Sequence, residues 1–284
     1  MKILVTGSKG QLGQALQEVS ESYENYQFLF TDKEELDITD EDAVKQYFKK
    51  NKPDCVINCA GFIAVDLAEQ EMAEAKLLNA RGVAVCSEAA ASINALMVQI
   101  STDYVFDGKG HRPYTEQDSA SPKSVYGKTK LDGELEVILN SKRSVIIRTS
   151  WLFAPYGHNF VKTILQKAQT EKELRVVCDQ VGNPTYAPDL AKAICDMLPS
   201  VPSITRGEIY HYSNEGVCSW YDFAQAIVEM KGIDCVITPV LSRDFKTAAA
   251  RPHYSVLDKS RIKKEYGLNI PYWRDGLRRC LQRL

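Results

Sequence analysis

Tyr126 and Lys130, four positions apart, form a pattern suited to proton transfer. On a helix the two side chains share one face, about one turn from each other. A phenol has a pKa near ~10, and an ammonium held close stabilises the phenolate and lowers that pKa. The pair is then able to exchange a proton with a carbonyl or an alcohol. Thr102, at the end of a preceding strand, offers a hydroxyl to hold the reacting oxygen. A tyrosine and a lysine four positions apart also occur on solvated helix faces, so the spacing alone does not establish a site.

A glycine loop follows the first predicted strand, Lys2–Thr6, and precedes a helix. Gly7, Gly10 and Gly13 give the spacing G-x-x-G-x-x-G. Strand, glycine loop and helix in this order are typical of dinucleotide sites. Glycines let the backbone approach a pyrophosphate, and the helix N-terminus offers free N–H groups. The sequence therefore predicts a dinucleotide cofactor at this loop.

Charged residues near the second strand leave the type of cofactor open. Asp32 follows residues 27–30, where an acidic side chain can bond the adenosine ribose of NAD(H). Lys9 and Lys33 are close enough in sequence to receive the 2′-phosphate of NADP(H) instead. Asp37 is a candidate adenine neighbour, and Asp40 is expected to cap the next helix.

Apolar segments alternate with helical segments through the first half of the chain. The five predicted strands cover residues 2–6, 27–30, 55–61, 96–100 and 145–148. An alanine-rich helix is predicted from Glu69 to Ala91, and the helix with Tyr126 is predicted to end near Leu139. The alternation is typical of an α/β fold with a doubly wound, parallel Rossmann sheet. It brings Thr102, Tyr126 and the glycine loop to one edge of the sheet.

The rhythm changes after Trp151, where short strands and helices follow without regular alternation. We expect residues 1–150 to form the dinucleotide-binding domain. Residues 151–284 are expected to form mainly a smaller, mixed α/β substrate-binding lobe, partly interleaved with the first domain.

Composition excludes several classes of protein. The 284 residues include 35 Lys and Arg against 37 Asp and Glu, so the chain lacks the excess positive charge that would attract nucleic acid or a membrane surface. The N-terminus does not resemble a signal peptide, and no apolar run is long enough to span a membrane. Eight cysteines are scattered without a C-x-x-C pair, so we expect buried free thiols and a cytoplasmic location.

The motifs together resemble the extended short-chain dehydrogenase/reductase family. The glycine loop, Thr102 and the Tyr126–Lys130 pair match its skeleton in order and spacing. A finer match, to a branch that reduces sugars linked to deoxythymidine diphosphate (dTDP), spans nearly the whole chain. Its motifs lie at residues 10–13, 64–66, 101–108, 126–130, 148–151, 159–160, 179–185 and 251–258.

The resemblance implies that NADPH or NADH reduces the 4-keto group of a dTDP-6-deoxy-L-hexulose. It gives Tyr126 the role of proton donor, and Lys130 the roles of lowering the tyrosine pKa and binding the nicotinamide ribose. The implied cofactor residues are Gly7, Gly10, Gln11, Leu12, Gly13, Asp32, Asp37, Ile38, Gly61, Phe62 and Ile63, with Tyr126 and Lys130. The implied substrate residues are Thr102, Asp103, Trp151, Asn159 and Arg251. For Arg251, a bidentate clamp on the diphosphate and a surface ion pair are both open.

Two features depart from the family pattern. Phe62 and Ile63 stand where the family usually carries Tyr or His and then Thr, so a hydroxyl near the cofactor is lost. Some members bind magnesium through a first-helix glutamate at the subunit contact. Ala15 occupies that position here, and the first carboxylate of that helix is Glu18. We therefore expect no catalytic metal, and a homodimer remains open.

Two other functions share this scaffold. The first is that of a nucleotide-sugar epimerase or 4,6-dehydratase, and related dehydratases follow the fourth strand with Thr-Asp-Glu. Tyr104 replaces that glutamate here, so elimination of water lacks its acid–base partner. A regulatory subunit of methionine adenosyltransferase keeps the fold as a binding module, but the intact Thr102, Tyr126 and Lys130 favour an enzyme.

Overall fold

A six-stranded parallel sheet is the centre of the computed structural model, which describes residues 1–203 and 206–284. The strands are β1 Lys2–Thr6, β2 Gln27–Thr31, β3 Cys55–Asn58, β4 Leu96–Thr102, β5 Ser144–Thr149, β6 Leu152–Phe153, β7 Glu173–Val177, β8 Val181–Gly182, β9 Thr185–Tyr186, β10 Glu208–His211, β11 Cys218–Ser219 and β12 Val236–Val240. The order in the main sheet is β10-β5-β4-β3-β1-β2. The doubly wound α/β fold expected from the sequence is confirmed.

Helices cover both faces of this sheet and build the second lobe. They are α1 Gln11–Ser20, α2 Glu41–Asn51, α3 Val65–Ala68, α4 Met72–Lys76, α5 Gly82–Ser92, α6 Val125–Asn140, α7 Phe160–Ala168, α8 Ala187–Met197, α9 Trp220–Lys231, α10 Ser260–Tyr266 and α11 Trp273–Leu281. A π-helical turn, Leu77–Arg81, joins α4 to α5. In the part of the chain described, no helix is both long and apolar enough to cross a membrane.

Apolar strands buried on both faces hold the sheet. All four residues of β3 are buried, as expected for a central parallel strand covered by helices on each side. On one face α1 and α8 pack with Ile3 and Val5, and on the other Val44 and Phe48 of α2 pack with Leu4. A separate core around Phe223 joins α7, α9 and α11 in the second lobe.

Two predicted elements differ from the observed ones. The helix predicted from Glu69 to Ala91 is wrong at its start, because the chain first forms the short α3 and begins α4 only at Met72. Glu69 instead accepts a hydrogen bond at 2.8 Å from the backbone N–H of Val125, at the start of α6. The main sheet has a sixth strand, β10, which pairs in parallel with β5.

The second half of the sequence thus contributes directly to the main sheet and to the helices that cover it. Besides β10, helix α8 packs against α1 on the face of the sheet. The remaining strands form three two-stranded sheets, β8 with β11, β7 with β12 and β6 with β9. These small sheets lie in the lobe beyond the carboxyl edge and complete the cleft described next.

Candidate active site

One large cleft, with a volume of about 1320 Å³, opens at the carboxyl edge of the sheet. Its walls come from the glycine loop, the ends of β3, β4 and β5, helix α6 and the second lobe. Ligands in open α/β sheets bind at this edge. Pockets for one drug-sized ligand usually measure about 300–1,000 Å³, so this cleft has room for a dinucleotide and a second ligand.

The glycine loop is shaped for close backbone approach. Gly7 has φ +65°, and a Cβ there would lie 2.5 Å from the backbone nitrogen of Ala60. Gly10 is the N-cap of α1, and no side chain caps that helix. The first N–H groups of α1 therefore remain free for a ligand, together with the positive end of the helix dipole. This loop fits the pyrophosphate of a dinucleotide.

The acidic residue after β2 is held by the backbone of the loops around it. Asp32 accepts hydrogen bonds from the backbone N–H groups of Lys9 and Lys33, each at 2.8 Å. The ammonium of Lys9 forms an ion pair with Glu34 on the surface. Asp32, Lys9 and Lys33 all line the cleft, so a ribose hydroxyl and a 2′-phosphate would both meet suitable groups.

Asp37 and Ile38 also line the cleft, as predicted for neighbours of the adenine. Asp37 accepts hydrogen bonds from the backbone N–H and the hydroxyl of Thr39, and these lower the pKa of its carboxyl. The side chain of Ile38 packs against Gly82, where a Cβ would lie only 2.9 Å from Ile38 Cδ1. Asp40 caps α2 by accepting from Ala43 N at 3.0 Å, which confirms its predicted role.

Helix α6 presents Tyr126 and Lys130 to the cleft, as the spacing predicts. Ser124 begins this helix by accepting a hydrogen bond from the backbone N–H of Gly127 at 3.1 Å. Lys130 is buried and donates to the carbonyl oxygen of Ile100 at 2.6 Å. Its Nζ thus lies at the end of β4 and beside Gly61, whose added Cβ would come within 3.8 Å.

Burial dominates the electrostatics of this pair. It lowers the pKa of Lys130 to about 8, opposed by the carboxylate of Glu134. Burial also raises the pKa of Tyr126, and a hydrogen bond with the Thr102 hydroxyl acts against that rise. In the protein alone the phenol is therefore protonated at neutral pH, the state needed in a proton donor. The pKa of Tyr126 lies above its ordinary value, not below it as the sequence-based interpretation expects.

Asp103 is buried directly beside Thr102. The hydroxyl of Thr102 donates to its carboxylate at 3.1 Å. Burial raises the pKa of Asp103 to about 6, while hydrogen bonds from Ser255 and Thr102 act in the opposite direction. Thr102 is thereby oriented between the carboxylate of Asp103 and the phenol of Tyr126.

The resemblance implies that Phe62 lines the cofactor, but its side chain does not line the cleft. The ring packs with Ala68, Ala75 and Val125. Its backbone is fixed by Asn79, which accepts from Phe62 N at 2.9 Å and donates to Phe62 O at 3.0 Å. Ile63, in contrast, is 67% exposed and lines the cleft.

Asn79 is a residue that sequence reasoning missed. Its side chain also donates to Thr129 of α6 at 3.1 Å, so it ties the end of β3 to the helix that carries Lys130. It lies in the π-helical turn, a feature often found at functional sites. No pattern in the sequence indicates this turn.

Trp151 enters the cleft with an unusual backbone and an aromatic partner. It has φ +48°, uncommon for a residue with a side chain. Its ring lies parallel to that of Trp220, with centroids 3.5 Å apart. A Cβ on Gly182 would lie 2.7 Å from Trp151 Cε2, so only glycine leaves room for the ring. Trp220, the first residue of α9, is also part of the cleft wall.

Asn159 lines the cleft while capping α7. It accepts from Lys162 N at 3.1 Å, and its amide donates to Gln11 Oε1 at 2.9 Å. The side chain thus joins the glycine loop to the second lobe, and its own hydrogen bonds are largely used within the protein.

Arg251 reaches the cleft from the second lobe. It donates to Asp66 Oδ2 at 2.6 Å and to the hydroxyl of Tyr104 at 3.1 Å. The backbone N–H of Ala249 donates to the other oxygen of Asp66 at 3.0 Å. The guanidinium has an ion-pair partner in the protein, and it also lies on the cleft wall.

The remaining predicted residues converge on the same cleft. Phe62 is the exception already described; the others on its walls are Gly7, Gly10, Gln11, Leu12, Gly13, Asp32, Asp37, Ile38, Gly61, Ile63, Thr102, Asp103, Tyr126, Lys130, Trp151, Asn159 and Arg251. The arrangement combines the glycine loop, a half-buried phenol one helical turn from a buried lysine, and an arginine contributed by the second lobe.

Comparison with known proteins identifies close relatives over the full length. The family model described as "RmlD substrate binding domain" matches residues 1–284. The spore coat polysaccharide biosynthesis protein SpsK of Bacillus subtilis is 43% identical over 282 residues, covering 99% of this chain and 97% of SpsK.

Two further relatives are named for one activity. A dTDP-4-dehydrorhamnose reductase of Aggregatibacter actinomycetemcomitans is 39% identical, covering 98% of this chain and 97% of the relative. The crystal structure of dTDP-4-dehydrorhamnose reductase from Bacillus anthracis in complex with NADP matches with a TM-score of 0.93 and 37% identity. That match covers 100% of this chain and 99% of the other.

Proposed function

The chain belongs to the RmlD substrate-binding-domain family, and from that premise we propose which residues carry its reaction. The protein is an NAD(P)H-dependent oxidoreductase that reduces the 4-keto group of dTDP-4-dehydro-L-rhamnose to give dTDP-L-rhamnose. The observation that carries the proposal is the half-buried Tyr126 and the buried Lys130 beside Thr102, at the carboxyl edge of the sheet.

Tyr126 gives its proton to the oxygen of the 4-keto group. When bound, the reduced nicotinamide supplies the hydride that reduces the carbonyl carbon. Tyr126 begins as a neutral phenol, because burial raises its pKa. Thr102, which donates to Asp103 in the free protein, turns this one hydroxyl proton to the same sugar oxygen when the sugar binds. After transfer, the phenolate recovers a proton from solvent, so one proton and one hydride are added in each turnover.

The other site residues bind the two ligands. The free N–H groups at the start of α1 hold the pyrophosphate, and Lys130 bonds the nicotinamide ribose. Trp151, stacked on Trp220, packs against the sugar. Arg251 holds the diphosphate of the sugar nucleotide as a charged donor. Residues 1–150 thus bind mainly the dinucleotide, and residues 151–284 mainly the sugar nucleotide.

Assembly and location complete the proposal. The eight cysteines are free thiols, in keeping with a reducing cytoplasm. Leu135 and Leu139 of α6 are 51% and 78% exposed. Because a second copy of the chain would bury these apolar side chains, the proposal includes a homodimer that covers this face of α6. Light scattering measures the mass directly. Magnesium has no role in the proposal, and Glu18 is engaged by Arg283.

The test is an assay with purified dTDP-4-keto-6-deoxy-L-sugar and NADPH. A reductase consumes one equivalent of NADPH for each sugar and forms dTDP-L-rhamnose. A dehydratase or epimerase regenerates its cofactor, so turnover without net loss of NADPH absorbance would contradict the proposal.

A further inference from the structure

Tyr104 contacts three of the residues to which the proposal gives roles. It lies in the one-turn 3₁₀ segment Asp103–Val105, directly after β4. Its backbone N–H donates to Thr102 Oγ1 at 3.2 Å, and its ring meets that of Tyr126 edge-on, with centroids 5.5 Å apart. Its hydroxyl accepts a hydrogen bond from Arg251.

We propose that Tyr104 is a positioning residue, which holds Arg251 in place for the diphosphate of the substrate and fixes it relative to the proton donor Tyr126. The inference deepens the proposed function and rests on it. Sequence reasoning used Tyr104 only as the residue that replaces a glutamate, and gave it no role in binding.

The backbone of Tyr104 is fixed against the helix that carries the proton donor. A Cβ on Gly127 would lie 2.2 Å from the carbonyl oxygen of Tyr104, so the chain after β4 and the start of α6 are in close contact. Because Gly127 directly follows Tyr126, a shift of Tyr104 would displace the catalytic phenol. The hydroxyl of Tyr104 is therefore held at a fixed position relative to the phenol of Tyr126.

Two acceptors hold the guanidinium of Arg251, one at each terminal nitrogen. Asp66 accepts from Nη2 at 2.6 Å, and Tyr104 accepts from Nη1 at 3.1 Å. An arginine side chain loses considerable conformational entropy when a ligand immobilises it. Two bonds at different nitrogens fix its orientation before the ligand arrives, while guanidinium N–H groups beyond these two stay available. Donors that are oriented before the ligand arrives bind an anion with a smaller loss of conformational entropy.

Tyr104 is suited to this task because it carries no charge. Burial raises the pKa of its phenol to about 12, so it stays neutral in the physiological range. Asp66 fixes Arg251 but also offsets its positive charge, which weakens its attraction for a phosphate. Tyr104 orients the guanidinium without that loss.

The experiment compares two ligands, dTDP and thymidine, which differ by the diphosphate. Both are titrated calorimetrically into the full-length protein saturated with NADPH. In Tyr104→Phe the ring remains and only the hydroxyl is lost. We expect dTDP to bind about tenfold more weakly, as for loss of a bond to a charged group, and thymidine to change less than about twofold.

Tyr114→Phe is the matched control. Tyr114 is a buried tyrosine where Tyr104 is half-buried, and its hydroxyl donates to Asp107 at 2.8 Å, with no hydrogen bond to Arg251 in the described part of the chain. It should preserve the ratio of dTDP to thymidine affinity. In an Arg251→Ala background, Tyr104→Phe should have no further effect on dTDP, because the residue it positions is gone.

Kinetics separate positioning from a general loss of structure. In Tyr104→Phe we expect KM for the sugar nucleotide to rise about tenfold while kcat falls less than about threefold. Tyr104→Leu, which also removes the ring against Tyr126, should lower kcat much further, so Phe rescues turnover relative to Leu.

The two possible failures are distinguishable. If the wild type prefers dTDP over thymidine and Tyr104→Phe keeps that preference, the role of Tyr104 is overturned and the proposed function stands. If the wild type itself binds both ligands equally, Arg251 does not hold the diphosphate and the role of Tyr104 fails with it, whereas the reductase activity fails only if the NADPH assay shows no consumption.

Discussion

Glu134 and Arg148 form a two-bond ion pair in the interior, directly beneath the reactive residues. Arg148 Nε lies 2.9 Å from Glu134 Oε1, and Nη2 lies 2.6 Å from Oε2. Both side chains are almost fully buried, and the hydroxyl of Ser101 also donates to Glu134. Glu134 is one turn along α6 from Lys130, so the pair ties α6 to β4 and β5.

Arg148→Met should destabilise the fold strongly, because it leaves the carboxylate of Glu134 buried without its cation. Breaking one partner of a buried pair costs about 3–5 kcal/mol. Urea unfolding followed by circular dichroism measures this loss. Lys45→Met, which removes the exposed pair with Glu41, is the control and should change the unfolding free energy far less. Equal losses in the two variants would contradict a structural role for the buried pair.

Asp103→Asn should change how stability depends on pH. Burial raises the pKa of Asp103 from 3.8 to about 6, so between those values the folded state keeps a proton that the unfolded state releases. The wild type therefore loses stability as pH rises from about 4 to about 6. Asparagine cannot ionise, so the unfolding free energy of Asp103→Asn should rise relative to that of the wild type across this pH range, by up to about 3 kcal/mol.

Denaturation at several pH values between 4 and 7 measures that difference. A constant gap between Asp103→Asn and the wild type would show that this carboxyl does not titrate on folding. Because Asp103 holds Thr102, the same variant should also lose activity at a pH where both proteins are fully folded.

Cofactor affinity should weaken as pH rises through about 8. Burial lowers the pKa of Lys130 to about 8, against the opposing influence of Glu134 and Cys59, so its ammonium is charged below that pH and neutral above it. The charged form is the stronger donor to a ribose hydroxyl. Fluorescence titration of NADPH between pH 6.5 and 9 checks the expectation. Lys130→Met should bind more weakly at low pH and lack the pH dependence, whereas unchanged affinity at every pH would rule out contact with the ribose.

Local patterns predicted the fold and most of the cleft. The order of strands and helices, the glycine loop and the Tyr126–Lys130 spacing depend on residues near one another in the chain, so a sequence displays them. The position at the carboxyl edge then follows from parallel strands.

Contacts between segments far apart in the chain could not be predicted from the sequence. The side chain of Phe62 turns into a small apolar cluster, and the stacking of Trp151 on Trp220 joins positions far apart in sequence. The choice for Arg251 between a diphosphate clamp and an ion pair could not be made either, because its partner Asp66 lies in another lobe. The structure shows the ion pair at the cleft wall.

Turnover by Tyr126→Phe tests the proton donor most directly. The measurement is NADPH oxidation with purified dTDP-4-keto-6-deoxy-L-sugar, alongside NADPH binding to the same protein. Removing the phenolic hydroxyl should lower kcat by about 100-fold or more, since general acid catalysis contributes about 10²–10⁴, while NADPH still binds. A variant that reduces the sugar at nearly the wild-type rate would contradict the assignment of Tyr126 as the group that protonates the ketone.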